Sequence, residues 1–273
     1  PFEIQWPAAG VNWQMHGLGQ PRFSNPASRK FDLPFAELSV LGSAGERTTV
    51  FLRGGMSTVD SGELFLLEAR ASYRVSKSVN VQVGRVLLPF SRQFYSPPSS
   101  LMFAGLSSAD TVFNAPYAWG ALASLRRGPS TLTLGAVSGA TPLDNLGHAS
   151  PAGRPGLIGR LDWDLLGPFG FLESDPSMPD TPQLTLGVAG MISDSAFDSP
   201  LQSLSRGDRN RSLTGDVGFR LNRFTAQTAV YRRSVSRSLA SDRGDWGGYL
   251  QSGFYLIDRK STRLNSSHAN ISY

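Results

Sequence analysis

Cysteine is absent from the 273 residues, and histidine occurs only three times. The first absence excludes a disulfide framework and any thiolate nucleophile or metal site, and it suits a chain that crosses an oxidising compartment unfolded. The second leaves little imidazole chemistry: His16 and His148 stand alone, and a solvated ring is the plain reading of each. No run of 18 apolar residues exists, so no helix is long and greasy enough to span a bilayer. The spacings G-x-x-x-x-G-K-[ST], G-x-S-x-G and H-E-x-x-H are all missing. No catalytic residue, metal or cofactor is expected. Lysine is scarce, with only Lys30 and Lys77 before residue 258, so the positive charge is carried by arginine. Pro1 opens the chain and no leader is visible, so an export signal is expected upstream.

What is present is alternation. In Leu213–Leu221 the residues Leu213, Val217, Phe219 and Leu221 share one face, and Thr214, Asp216 and Arg220 share the other. That is a strand with one greasy side and one wet side. About twelve such segments follow one another: near 11–17, 35–42, 46–54, 63–75, 79–88, 115–126, 131–139, 156–166, 183–193, 212–221, 223–234 and 246–257. Strands of this kind joined by hairpins predict an all-β, antiparallel, up-and-down transmembrane β-barrel with lipid outside and water inside, placed in a bacterial outer membrane.

Connection lengths support the same fold. After even-numbered strands the turns are short, with one exception after the eighth. After odd-numbered strands the connections are longer, near 18–34, 55–62, 89–114, 140–155, 194–211 and 235–245. A barrel with short periplasmic turns and long external loops sorts its loops in this way; a soluble Greek-key sandwich has no reason to. The third external loop, 89–114, is the longest, and its prolines and aromatics favour a fixed, inward-folded course that narrows the channel.

Charge facing lipid at mid-depth costs on the order of 2–4 kcal/mol, which assigns the charged faces to the lumen. In 63–75, Glu68, Arg70, Ser72 and Arg74 point inward, and Leu67, Ala69, Ala71, Tyr73 and Val75 outward. Arg47 and Arg53 flank Thr49 on an inward face. Arg160, Asp162 and Asp164 form an ion-pair row, and Asp216, Arg220, Arg223, Thr225, Gln227, Tyr231 and Arg233 also face in. The candidate pore-lining, anion-contacting residues are therefore Arg53, Arg70, Arg74, Arg85, Arg92, Arg160, Arg220 and Arg233. Arginine stays charged at any working pH and offers a planar fork to phosphate or carboxylate. Arg85 and Arg92 flank the third loop, and strand parity breaks near Gly84. The same charges paired across strands would give weak selectivity or none. Tyr73, Trp119, Trp163, Tyr249 and Tyr255 are candidates for interfacial aromatic girdles or for a subunit contact. The basic run Arg206–Arg211 reads as a solvated external loop able to touch lipopolysaccharide phosphates, not nucleic acid.

Two motifs add a resemblance. Val83-Gly84-Arg85-Val86-Leu87-Leu88-Pro89-Phe90-Ser91-Arg92 resembles the Gly-x-x-x-x-Pro-Phe-Ser segment of the phosphate-selective porin O and P family. Trp246–Leu256 resembles the later Gly-Tyr-x-x-x-Gly-Tyr-x-Leu strand of that family. The resemblance implies a barrel of 16–18 strands, of which about 12 are present, a homotrimer, and passage of small anions. Where the family tends to carry a basic Phe-x-x-Arg-Ser-like stretch, this chain has Met102–Ser107, and neither Lys30 nor Lys77 lies in the third loop. Phosphate selectivity is therefore not carried over.

Residues 258–273 resemble the in-frame translation of a sequencing adaptor, so the barrel is assigned to 1–257 and the tail is set aside. The tail holds three cations and one anion, and without it the net charge of +5 falls to +3. The expected function is a passive channel for small polar solutes, with anions preferred and outer-membrane lipid around it. An outer-membrane barrel enzyme such as a lipid hydrolase, and a soluble β-rich binding domain, are the alternatives.

Overall fold

The computed structural model describes residues 2–6, 11–24, 30–56, 64–97, 100–103, 105–114, 117–141, 154–174, 178–194, 209–236, 241–255 and 265–268. The strands are β1 (Phe2–Trp6), β2 (Val11–Ser24), β3 (Lys30–Ala44), β4 (Thr48–Met56), β5 (Leu64–Arg74), β6 (Val79–Leu87), β7 (Tyr117–Arg127), β8 (Ser130–Thr141), β9 (Arg154–Leu166), β10 (Gln183–Asp194), β11 (Arg209–Leu221), β12 (Phe224–Ser236), β13 (Arg243–Tyr255) and β14 (Asn265–His268). Each pairs antiparallel with the next in one 14-stranded sheet that follows chain order. The sheet is not closed, since β1 and β14 each have one neighbour. Two short helices, α1 (Arg92–Tyr95) and α2 (Ser108–Phe113), lie between β6 and β7.

The twelve strands read from alternation are β2–β13. Burial alternates residue by residue along β11, with the polar side chains of Asn210, Ser212, Thr214, Asp216 and Arg220 on the buried face. This reverses a soluble protein: Leu213, Val188, Val230 and Leu250 are each more than half exposed, whereas Thr214, Asp216, Thr225 and Gln227 are covered. A continuous exposed apolar face of this extent belongs against hydrocarbon.

Three expectations change. The first long connection, 18–34, is largely strand: β2 runs to Ser24 and β3 starts at Lys30. Leu67 is not on the lipid face. Arg53 pairs with Glu68 and Gly54 with Leu66, so Leu67 is the extra residue of a bulge and turns inward, 3% exposed. The adaptor-like tail contributes β14, which pairs with β13 through Tyr255 and Ser252; an open sheet edge offers unpaired backbone to any adjacent peptide. The remainder of the tail, His148 and Arg206–Asp208 lie outside the described residues.

The tight turn after β11 holds Asn222 at φ 50, a left-handed conformation that asparagine tolerates. In β6, Gly84 sits at φ 124, which is where strand parity breaks. A Cβ there would stand 2.2 Å from the Ala69 carbonyl oxygen, so only glycine fits.

Candidate functional site

The inner face is covered by the chain's own connections. The segment after β6 turns into the lumen at Leu88, Pro89 and Phe90, all buried. Ser91 caps α1 by accepting from Phe94 N, and Ser107 caps α2 by accepting from Asp110 N at 3.1 Å. Both helices are too short to persist alone, and aromatic anchors hold them to the wall. Phe113 stacks on Tyr231 of β12 with centroids 5.6 Å apart. Its ring occupies the space that a side chain at Gly247 would take. The third loop therefore does fold inward, as its composition predicts.

An ionic cluster fixes the middle of this segment. Arg92 Nε donates to Asp216 Oδ1 at 2.6 Å, and its Nη2 to Asp162 Oδ1 at 2.8 Å. Arg160 Nη2 reaches Asp162 Oδ1 at 2.7 Å and Asp216 Oδ2 at 2.8 Å. Two buried cations and two carboxylates thus neutralise one another, the arrangement buried charges require. The strands permit it because Gly187 lies between Asp162 and Asp216 in register. A Cβ on Gly187 would stand 2.2 Å from Arg160 Nη2 and 2.4 Å from Asp216 Oδ1.

A second segment enters from the opposite mouth. The connection between β9 and β10 is the one exception to the loop-length rule, and it folds back into the lumen. Arg220 of β11 donates to the carbonyls of Phe169 at 3.3 Å and Leu172 at 2.6 Å, and its guanidinium lies over the Phe169 ring, 4.4 Å from the centroid. This connection also meets the third loop. Met102 N donates to Glu173 Oε2 at 2.8 Å, Ser174 N to the Ser100 carbonyl at 2.8 Å, and Arg92 Nη1 to the Gly170 carbonyl at 2.9 Å. Ser96 Oγ donates to the Phe171 carbonyl. The length anomaly marks this segment in the sequence. Its inward course depends on long-range partners that no local pattern shows.

Docking has an electrostatic penalty. Burial pushes the Asp110 carboxyl up to about 7, against the opposing pull of hydrogen bonds from Ser91 and Tyr231. Burial likewise raises Glu173, against its hydrogen bond from Met102. Both amide atoms of Gln227 and of Asn114 are buried without a protein partner. Desolvation of these groups opposes the aromatic and ionic anchors.

The nominated arginines all face the lumen side, and each is engaged. Arg92 and Arg160 share the central cluster. Arg53 and Arg70 clasp Glu68 at 3.1 and 2.6 Å. Arg85 donates from Nε to the Leu67 carbonyl at 3.1 Å and lies, like Arg53, over the Tyr117 ring. Arg74 reaches the Glu46 carbonyl. Arg220 holds the second inward segment. Arg233 donates to the Val112 carbonyl at 3.1 Å and pairs with Asp245 at 3.3 Å. Several of them therefore fasten the inward segments or one another. Of the girdle candidates, Tyr73, Trp119 and Trp163 face outward and are exposed. Tyr249 and Tyr255 are buried on the inner face, Tyr249 beside Tyr231, because β13 places its odd positions inward there.

A cavity of about 620 Å³ remains between the inward segments and the inner faces of β4–β10. Its charged lining comprises Arg53, Arg70, Arg92, Arg126 and Arg160 against Glu68, Asp162 and Asp164.

No protein-family profile matches the sequence, and no curated protein matches it. Among solved structures, the chain is similar to a loop L8 deletion mutant of OmpT, an outer membrane protein of Vibrio cholerae, with 10% identity, TM-score 0.53, and coverage of 91% of this chain and 76% of that one. It also aligns with Salmonella typhi OmpF, at 10% identity and TM-score 0.45, over 94% of this chain and 89% of that one. The first likeness bears on architecture: the chain has the fold of a bacterial outer-membrane β-barrel protein.

Proposed function

We propose that this chain is part of an outer-membrane porin, a passive diffusion channel for small polar solutes that prefers anions. The observation that carries the reading is the inverted sheet, with an apolar exposed outer face and a charged inner face around a cavity that charged side chains help to line. Water-filled barrels act on solutes through pore width and the sign of the lining charge. Around this cavity arginine outnumbers carboxylate, five to three, which favours anions. Closed ion pairs such as that of Arg92 with Asp216 keep the field weak enough for solutes to leave.

The two motifs of the phosphate-porin resemblance support the family name only in part. Pro89, Phe90 and Ser91 turn the third loop inward and cap α1, a folding role that any inward loop needs. A homotrimer in outer-membrane lipid belongs to the same proposal. The outward alanines Ala71, Ala121, Ala123 and Ala136 on β5, β7 and β8 allow close approach of a second barrel. Arg209 and Arg211, exposed at the start of β11, suit lipopolysaccharide phosphates.

The test is the reversal potential of the full-length protein in a planar bilayer under a salt gradient. Anion selectivity that weakens in Arg70→Ala supports the reading. Conductance without preference removes the anion claim and keeps the channel. Absence of conductance from folded protein overturns the channel itself.

A further inference from the structure

Arg126 differs from the nominated arginines. It stands on the inner face of β7, in register with Thr131 of β8 and, one strand further, Asp162 of β9. Among the described residues no hydrogen bond or ion pair engages its guanidinium. Asp162, the carboxylate in its row, is already taken by Arg92 and Arg160. Arg126 is exposed and lines the cavity. It is a charge-assisted donor without a protein acceptor, open to an incoming anion.

Another part of the cavity lining has different chemistry. Pro89, Tyr95, Pro97, Pro168 and Phe171 line it from the two inward segments, with Leu87 at the end of β6. Tyr95 and Phe171 pack with ring centroids 4.8 Å apart. The Tyr95 hydroxyl is spent on the Leu87 carbonyl at 3.3 Å, so this side offers carbon surface. An apolar ridge and charged residues on one cavity fit a solute that has an apolar body and one charged end. The volume of about 620 Å³ lies within the range of small-molecule sites. Asp162 and Asp164 on the same lining disfavour a second negative charge near Arg126.

We propose that the cavity binds monocarboxylates with an apolar body, the carboxylate on Arg126 and the body along the Tyr95–Phe171 ridge. This rests on the channel reading and names its solute class. A doubly charged inorganic anion reaches Arg126 but gains nothing from the ridge and meets Asp162 and Asp164 on the same lining, so it binds more weakly.

The experiment is block of ion current through the full-length protein in a planar bilayer by acetate, butyrate, hexanoate and octanoate, with inorganic phosphate for comparison. The half-blocking concentration is expected to fall roughly two- to fourfold per added methylene, the increment of partial to full burial of one CH₂. Arg126→Ala should raise it about tenfold for every chain length, and Arg126→Lys should restore part of the loss. Phe171→Ala should flatten the dependence on chain length. Heat-modifiable migration in gels establishes that each variant is folded. Block that ignores both chain length and Arg126, or phosphate blocking as well as hexanoate, overturns the inference while the conducting pore stands. Folded protein that does not conduct overturns the channel reading, and calorimetric titration of hexanoate into the detergent-solubilised protein then decides the site alone: heat lost in Arg126→Ala supports it, and no heat ends it.

Discussion

Arg92 and Asp216, 124 positions apart in sequence, meet at 2.6 Å and tie the third loop to the wall of the barrel. Asp216 also receives Arg160, so removing its carboxylate leaves two buried guanidiniums short of charge. Asp216→Ala should destabilise the folded protein by about 3–5 kcal/mol. Gly187→Ala should cost about 1–3 kcal/mol by driving a methyl group into the same pair. Urea unfolding of the two variants in lipid vesicles measures both, and a wild-type midpoint for Asp216→Ala would show that the cluster does not hold the loop.

Gly84→Ala should be among the most damaging glycine changes in the strands. It combines a φ of 124 with an approach of 2.2 Å to backbone oxygen. Gly215→Ala, where nothing lies within 4 Å, is the matched control and should fold normally. The folded fraction by gel mobility after refolding into detergent compares the two.

The absence of cysteine makes the contact between the two inward segments directly testable. Ser174 N donates to the Ser100 carbonyl at 2.8 Å, which places these residues side by side. The double variant Ser100→Cys, Ser174→Cys should form a disulfide on oxidation, visible as a gel shift reversed by reductant. Failure to cross-link in folded protein would mean that the segments do not meet.

Docking of α2 should weaken as pH rises. Asp110 titrates near 7 when docked and near 3.8 when released. The docked state therefore binds the extra proton between those values. Its stability is full below about pH 4, declines as pH rises toward 7, and is level above. Glu173, also raised by burial, acts in the same direction. Tyr231, Tyr249, Ser91 and Asp216 surround Asp110, and none supplies a cation against it. Protease protection of segment 107–114 should be greater at pH 4.5 than at pH 8, with the difference reduced in Asp110→Asn. Equal protection at both pH values would remove Asp110 as the cause.

The twelve strands β2–β13, the faces of β9, β11 and β12 and the inward third loop are legible because alternation, turn residues and loop length are local quantities, whereas β1 and β14 at the sheet's edges were not read. Leu67 was misplaced because a bulge inserts one residue, and only the partner strand reveals it. Tyr249 was misassigned for a related reason: an inward aromatic reads like a girdle residue until something covers it. Arg126 was overlooked because sequence shows which arginines face the lumen but not which are already paired. The even-numbered connection that breaks the length rule was visible as an anomaly, yet its partners Arg220, Met102 and Ser100 lie far away along the chain.

Periodicity of two, with charge kept from lipid, is enough to specify an antiparallel membrane sheet and to sort its side chains into two faces. The sequence carries that much because each residue's face follows from its immediate neighbours and the cost of burying charge in hydrocarbon. How the lumen is filled is a different matter. Apart from the neighbouring Arg160–Asp162 pair, the cluster of Arg92, Arg160, Asp162 and Asp216 and the meeting of the two inward segments arise from pairings between residues 50 to 125 positions apart, and they leave Arg126 unpaired beside the cavity among the described residues. Only the register of the sheet brings those residues within hydrogen-bonding distance, so the tertiary structure alone decides which charges hold the fold and which remain for a solute.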